Sequence, residues 1–415
     1  MKKYTAVFFI IVAFAFVHGE SLEIHHFGIG QGDGTLIIAK HADGQYTTIL
    51  VDAGNSSGKG RAIFRRMQEL LGSKYKRLDC LVVSHLHSDH YGGATELLTA
   101  FQEQNWKVGI VIDKGKKTHG VAPFIIHDCC YDSTIGDPYF DNDPVDEFAF
   151  RGASLDDFLK KASEFPRKNI DLGVDLFQLT KKVKTKMKMT CVASNVKVYK
   201  SYGSKYYIDY EAQAHSENDY SYGFLMQFEG FKYFTSGDLG GKAPAYLDIE
   251  SLLMNYFKTW PEDKSFHFCA LKVNHHGSAH STNVDFANFT RPTISIIQSA
   301  LRSFSGTQLP NKETIDNLED VNSRILYTYL PENGSSYWQG KVKYYKDVVL
   351  KIPRNPGYNK NIKVEIQTHL REKTGDLHWV GDSKNYSISC TKKHSYSRDA
   401  QEIETMEEMA TTTSK

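Results

Sequence analysis

Net charge is almost absent from this sequence: 50 Lys+Arg against 49 Asp+Glu leave +1 over 415 residues. That balance excludes a strongly basic nucleic-acid binder and an acidic solvating protein. Cysteine is sparse as well. Six Cys in a chain this long can supply a few bridges but not a disulfide framework. No internal repeat is visible. Beyond the first twenty residues no apolar run approaches the roughly 20 residues that a membrane span needs. What is abundant is aromatic and imidazole: Tyr and Phe stand at 24 each and His at 17, several of the His crowded into two short segments. Aromatics in that number suit β-rich structure, and 40% hydrophobic residues argue against wholesale disorder.

Lys2 and Lys3 precede an apolar run from Ala6 to Val17, with the small residue Gly19 after it. A basic start, about a dozen apolar residues and a small exit residue describe a secretory signal peptide over residues 1–19. The expected protein is therefore secreted, with no stable membrane insertion after cleavage. Sequons at Asn55, Asn288, Asn333 and Asn385 agree with that route. Cys80 and Cys269 lie in apolar strand-like runs and read as buried thiols. Cys129, Cys130, Cys191 and Cys390 lie in looser surroundings, and pairing cannot be read from sequence.

Short apolar strands broken by Gly/Asp/Asn turns are expected at 22–27, 35–39, 46–51, 80–83 and 108–112, with a helix at 61–71 and another beginning after His90. Residues 113–185 are the least regular part, with a helix expected at 154–163, and about 113–215 reads as an insertion. Lys182, Lys184, Lys186 and Lys188 alternate with apolar or small residues, which predicts a strand with one basic face. Strands resume at 222–228, 231–235, 271–273, 294–297 and 325–329, with a helix at 312–319 and terminal strands at 341–352 and 361–367. A hydrolase-sized domain over 20–352 is then followed by an extension, 353–415, with a disordered tail from Thr391.

The strongest local signal is Ser84-His85-Leu86-His87-Ser88-Asp89-His90-Tyr91-Gly92-Gly93, fed by an apolar strand and left by a helix. Alternation sends His85 and His87 to one side, while Asp89 and His90 turn toward a neighbouring point. Imidazole pairs with a carboxylate can hold two divalent ions side by side. Gly237-Asp238, at a strand end, offers a carboxylate able to bridge them. Leu271-Lys272-Val273-Asn274-His275-His276-Gly277-Ser278 is a second strand ending in ligands. On a strand, adjacent side chains face opposite ways, so one of His275 and His276 should reach a metal and the other should orient substrate.

The ordered set FGIGQGDG, VDAG, SHLHSDHYGG, SENDYSYGFLMQF, FTSGDLGG and LKVNHHGS resembles the metallo-β-lactamase superfamily over roughly residues 22–330. Within it the set is most similar to the hydrolase domain of the competence protein ComEC, with the phosphorylcholine esterases of choline-binding proteins sharing the outline. The resemblance implies an α/β fold, a four-layer αββα sandwich with a dinuclear site on one edge. It implies His85 and His87 as ligands of a first metal, Asp89 and His90 on the second-metal side, Asp238 as the bridge and His275 or His276 as the last His. Asp33 and Asp52 match supporting turns. Zinc is the expected metal and manganese the alternative. Many members carry a third His for the first metal; this branch has Asn-x-x-Ser there, matched by Asn218 to Ser221, with His215 upstream as a candidate for the place. Leu309 stands where related sequences have a His before Pro.

The expected activity is hydrolysis of phosphodiesters, in nucleic acid or in small phosphorylcholine-type esters, with Asp89, Asp238 and His275 or His276 as the catalytic groups. Two close divalent ions supply hydroxide near neutral pH and neutralise charge on a phosphoryl oxygen. Alternatives are a lactone, lactam or thioester hydrolase of the same fold, or a secreted binding protein with an impaired ancestral site. The insertion and the Tyr-rich stretch 202–210 are expected to wall the cleft.

Overall fold

The computed structural model describes residues 19–55, 58–72, 75–114, 155–180, 185–210, 214, 216–261, 266–299, 302–304, 307–331, 342–353, 361–371 and 377–390. The apolar leader up to residue 18, Cys129, Cys130, Lys182, Lys184, His215, Asn333 and the chain from Thr391 onward lie outside them.

In chain order the strands are β1 (Ser21–His26), β2 (Thr35–Lys40), β3 (Tyr46–Val51), β4 (Arg77–Val82), β5 (Lys107–Ile112), β6 (Arg167–Lys168), β7 (Met187–Ser194), β8 (Lys197–Tyr199), β9 (Tyr207–Asp209) and β10 (Gly223–Phe228). They continue as β11 (Phe231–Ser236), β12 (Ala270–Lys272), β13 (Ile294–Ile297), β14 (Arg302–Phe304), β15 (Thr307–Leu309), β16 (Arg324–Tyr327), β17 (Tyr329–Pro331), β18 (Val342–Ile352), β19 (Asn361–Arg371) and β20 (Leu377–Ser389). The helices are α1 (Lys59–Leu71), α2 (Ser88–Tyr91), α3 (Ala94–Glu103), α4 (Leu155–Ala162), α5 (Leu176–Thr180), α6 (Ile249–Lys258), α7 (Val284–Thr290) and α8 (Lys312–Asp320).

One sheet runs β20-β19-β18-β1-β2-β3-β4-β5-β6, with β17 beside β18; the other runs β16-β13-β12-β11-β10-β7-β8-β9. Period-two side-chain alternation explains the layers. In β3, Ile49 and Val51 point between the sheets while Leu50 points to the helices outside, and in β2 Ile37 and Ala39 oppose Leu36 and Ile38 in the same way. A strand that is apolar on both faces must be covered on both faces. On the outside of the first sheet lie α1, α3 and α4, through Ile63, Phe64, Leu97, Leu98, Phe101 and Phe158. Outside the second sheet lie α6 and its neighbours, through Leu253, Phe257, Phe286 and Leu318. The result is the helix–sheet–sheet–helix stack expected for a metallo-β-lactamase-like α/β sandwich.

Cysteine placement corrects two expectations. Cys269 is not a free buried thiol: it is joined to Cys390, just past β20, with 5.2 Å between their Cα atoms. Cys191 is a buried free thiol on β7 and not a loosely placed one, because its side chain takes an inward position in the alternation. Cys80 is buried and free, as its strand context implies. The segment read as an irregular insertion supplies α4, β6, α5 and β7 to β9 from its described residues, and β19 and β20 extend the first sheet beyond residue 352. Among the described residues no helix is long and apolar enough to cross a membrane.

Topology then gathers the loops. β3 pairs β4 in parallel, and β11 pairs β12 in parallel, so the residues following all four strands emerge along one edge. The turn from β1 to β2 joins them, because Thr35 pairs Val51 at the end of β3.

Candidate metal centre

The centre is built where those strand ends meet. Asp52, one residue past β3, has a left-handed backbone (φ 63°). It accepts from Ser84 N–H at 2.7 Å and Ser84 Oγ at 2.8 Å, and stands 2.8 Å from His90 Nδ1. Those contacts fix the chain leaving β4 and leave Nε2 of His90 as the free, inward-facing nitrogen. His87 has an extended backbone (φ −91°, ψ 149°) and caps α2, so His85 and His87 meet with His85 Nε2 3.0 Å from His87 Nδ1. Helical turning in α2 then brings Asp89 and His90 to the adjacent point, 3.6 Å apart.

Asp238 follows β11 and stands between both groups. Its Oδ1 is 3.3 Å from His90 Nε2; its Oδ2 is 3.9 Å from His85 Nε2 and 3.5 Å from His276 Nε2. The approach needs glycine before it. A Cβ on Gly237 would overlap Ser84 Oγ and lie 2.8 Å from His85 Nδ1. Gly32 has φ +106°, and a Cβ there would overlap the Asp89 carbonyl.

His275 and His276 depart from the alternation argument. Strand β12 ends at Lys272, and both His lie in a tight turn with left-handed backbone, φ 46° and φ 53°. Because they are not on a strand, they do not face opposite ways: His275 Nε2 is 3.7 Å from Asp238 Oδ2 and His276 Nε2 is 3.1 Å from Asp89 Oδ2. His276 joins Asp89, His90 and Asp238, while its Nδ1 donates to the Gln298 carbonyl at 2.7 Å. Two non-glycine residues held at positive φ carry backbone strain that the surroundings must over-determine. Here Pro310 packs behind Gly277, Asn311 N–H donates to the Gly277 carbonyl, and Asn274 is held by Glu250.

Several residues of the centre were not singled out from sequence. Lys272, fully buried in β12, pairs with Asp33 and donates to the carbonyls of Ser236 and Gly237 at 3.2 Å each. Gln31 donates to Asp89 at 3.0 Å. Glu217 accepts from Leu86 N–H at 2.9 Å and pairs with Lys114. Asn218, matched from sequence to the Asn-x-x-Ser stretch, does stand at the centre, its Nδ2 3.3 Å from His275 Nε2. Glu250 accepts from Asn274 Nδ2, Thr282 N–H and Asn283 N–H. A Lys inside an apolar strand and a Glu inside an apolar helix run were the available signals, since such groups are buried only when paired.

Two expected parts of the cleft lie elsewhere. Strand β7 begins at Met187, and Lys188 pairs with Gln227, four residues from the Gly223 end that borders the centre. At 3.3 Å per residue that is about 13 Å away, so Lys188 does not reach a phosphate held at Asp238. The Tyr-rich hairpin likewise points away, its tip lying beyond the Tyr199–Tyr207 pair while the Ser194–Lys197 pair lies at the end of the sheet that holds Gly223. Lys188 is exposed, as a solvated strand face requires, while placing the Tyr-rich stretch at the cleft took proximity along the chain for proximity in space.

Charge tests whether ions fit. Burial opposes ionisation of Asp238 and Asp89, yet His276 and His90 hold both carboxyls well below the usual carboxylate range. Burial favours neutral His276, but Asp238 and Asp33 outweigh it and lift the ring to about 10; His90 is raised likewise by Asp238, Asp52 and Asp89. Burial pushes His275 down to about 4 and His85 well below its usual value. Imidazolium therefore stands where the carboxylates call for cations. Asp33, Asp89 and Asp238 exceed Lys272 in charge, an excess that imidazolium at His90 and His276 offsets and that bound cations would offset in its place. His90 Nε2, His276 Nε2 and Asp238 Oδ1 are buried without a hydrogen bond, and they face one another. The donor set fits bound metal ions.

Residues 29–158 match the family model described as "Metallo-beta-lactamase superfamily". The match takes in Asp33, Asp52, His85, His87, Asp89 and His90; Asp238, His275 and His276 lie beyond it and join through the fold. Among solved structures the chain is similar to the metallo-beta-lactamase fold protein YhfI from Bacillus subtilis, 12% identical over 74% of this chain and 96% of that one, TM-score 0.37. It is also similar to a long form RNase Z from yeast, 13% identical over 67% of this chain and 37% of that one, TM-score 0.32. The metallo-beta-lactamase SMB-1 is 13% identical over 61% of this chain and 81% of that one, TM-score 0.29. No curated protein matches the chain. The metallo-β-lactamase domain and its paired His/Asp clusters support a metal-dependent hydrolase.

Proposed function

We propose that the protein is a secreted, dinuclear phosphodiesterase of the ComEC-like branch, with zinc as the first metal to test and manganese as the alternative. The observation that carries the reading is the position of Asp238, whose Oδ1 faces His90 and whose Oδ2 faces both His85 and His276. A pair of divalent ions at such a site stabilises both the attacking and the leaving oxygen of an in-line displacement at phosphorus. This chain's residues do the rest. Asp52 holds His90 through Nδ1, Asp33 and the Gln298 carbonyl hold His276 through Nδ1, and Gln31 holds Asp89. Fixed ligands of this kind lower the reorganisation that reaction requires. A loaded centre with a net positive charge favours an anionic ester over a neutral lactone or lactam. The partly exposed side is formed by His87, Asp89 and His275, which is where a phosphoryl group would enter.

Secretion is supported by the leader-like start, by the Cys269–Cys390 bridge, and by exposed Asn288 and Asn385. Purified protein should turn over bis-p-nitrophenyl phosphate, p-nitrophenyl phosphorylcholine or single-stranded DNA, and lose that turnover with a chelator and in His87→Ala. Cleavage of nitrocefin alone would replace this reading with a lactam hydrolase. Two bound metals without turnover of any substrate would indicate a binding protein.

A further inference from the structure

The described residues expose few large hydrophobic side chains. Three of the four are tyrosines at one hairpin tip: Tyr202 at 51%, Tyr206 at 76% and Tyr207 at 46%, with Val284 the fourth. The tip joins β8 to β9 at the edge of the second sheet and reads Lys200-Ser201-Tyr202-Gly203-Ser204-Lys205-Tyr206-Tyr207. Lys200 and Lys205 are exposed. The one carboxylate on the hairpin, Asp209, faces Lys197 at 3.6 Å, at the other end of β9.

The tip is built, not slack. Lys200 N–H donates to the Tyr206 carbonyl at 3.0 Å, Ser204 N–H to the Ser201 carbonyl at 3.1 Å, and Tyr206 N–H to Ser204 Oγ at 2.9 Å. Tyr202 N–H donates to Thr259 Oγ1 at 2.7 Å, and its ring rests on Trp260, centroids 4.8 Å apart. Rigid exposed rings lose little freedom when something stacks on them. Their charged neighbours favour a polyanion. No aliphatic side chain is exposed there to enter a bilayer.

We infer that this tip is a capture site for single-stranded nucleic acid, with bases stacking on Tyr202 and Tyr206 and phosphates meeting Lys200 and Lys205. Sequence-tolerant binders of single strands combine these two residue types. The inference rests on the phosphodiesterase reading and narrows it, from phosphodiesters at large to polynucleotides. The tip stands about 15 Å beyond the strand ends nearest the metal centre, at 3.3 Å per strand residue, and β8 lies three strands across from β11, at about 4.8 Å each. A strand held there reaches the centre only after several nucleotides. Short phosphodiesters should gain nothing from it.

The test uses the full chain. Anisotropy of a fluorescein-labelled dT20 is followed in chelator, so that binding is read without cleavage. Tyr202→Ala/Tyr206→Ala should bind at least tenfold more weakly, since one stacked base is worth that much in alanine substitution. The charge variant Lys200→Gln/Lys205→Gln should lower the slope of log K against log salt by about 1.4, at roughly 0.7 per phosphate for single strands. Both variants should hydrolyse bis-p-nitrophenyl phosphate within twofold of wild type, with metal present. Unchanged dT20 binding in either variant, or no dT20 binding by wild type, overturns the inference. So does stronger retention on phosphatidylserine vesicles than on dT20. Absent bis-p-nitrophenyl phosphate turnover by wild type would instead strike at the phosphodiesterase reading, leaving a tip that binds nucleic acid without cutting it.

Discussion

Replacing Lys272 by Met tests how the centre is held together. Its ammonium is buried, pairs with Asp33, and donates to the carbonyls of Ser236 and Gly237, which precede Asp238. Asp33 in turn lies 3.3 Å from His276 Nδ1. One side chain thus ties the carboxylate beside His276 to the backbone that places Asp238. Methionine fills similar volume without charge, leaving Asp33 buried without its ammonium partner and with only the His276 ring beside it. Removing one member of a buried pair costs about 3–5 kcal/mol. At about 2–4 °C per kcal/mol for a chain of a few hundred residues, the melting temperature should fall by roughly 10 °C. The measurement is a thermal melt in chelator, so that bound metal does not mask the loss. Asp33→Asn/Lys272→Met removes both charges together and should recover about half of the drop. A Lys272→Met protein melting within 2 °C of wild type would refute the reasoning. A double variant less stable than the single one would refute it equally.

Asp52→Asn removes the carboxylate that holds His90 Nδ1 and Ser84; zinc affinity by chelator competition should fall about 10–100-fold. Gly237→Ala forces a methyl against Ser84 Oγ and His85 Nδ1, and should cost about 1–3 kcal/mol in urea unfolding together with a drop in bound metal. Burial lifts the Glu250 carboxyl to about 7 despite its bonds from Asn283, Asn274 and Thr282. The folded chain therefore keeps a proton that the unfolded chain releases near 4.5. The resulting stabilisation is full below that value and lost as pH rises to about 7, roughly 3 kcal/mol by linkage. Urea midpoints should fall more steeply between pH 5 and 8 in wild type than in Glu250→Gln. Cys390→Ala opens a link spanning 121 residues and should lower stability by about 2–5 kcal/mol in non-reducing melts.

Most strands were legible because period-two apolar patterns bounded by Gly and Asp are local signals. Tyr46–Val51 and Ile294–Ile297 occupy the expected residues. His85, His87, Asp89 and His90 were legible for the same reason, sitting within six residues of one another. What escaped was set by distant contacts. The turn of His275 and His276 depends on positive φ at non-glycine residues, which no residue pattern announces. The partner of Cys269 lies on the far side of the chain's last strand. Lys272 looked like an ordinary strand residue until Asp33 appeared beside it. Helix α6 and strand β20 are absent from the sequence reading, although Glu250 and Cys390 belong to them or border them. The hairpin at Tyr202 was visible as composition but not as a location.

Asp33, Asp52, His85, His90, Asp238 and His276 come from both sheets, and more than 240 residues separate the first from the last. Asp33, Asp52 and His90 can meet within the first sheet, and Asp238 and His276 within the second, but the two halves meet only when the sheets have docked. High sequence separation of contacts slows folding, so the centre should be among the last regions to form. A cation arriving earlier would find only the local cluster at 85–90. Metal uptake at full stoichiometry would therefore lag behind the recovery of β-structure during refolding. The ions would act as a lock on a finished molecule rather than as a seed for it, and their affinity would add directly to the free energy holding the sheets together.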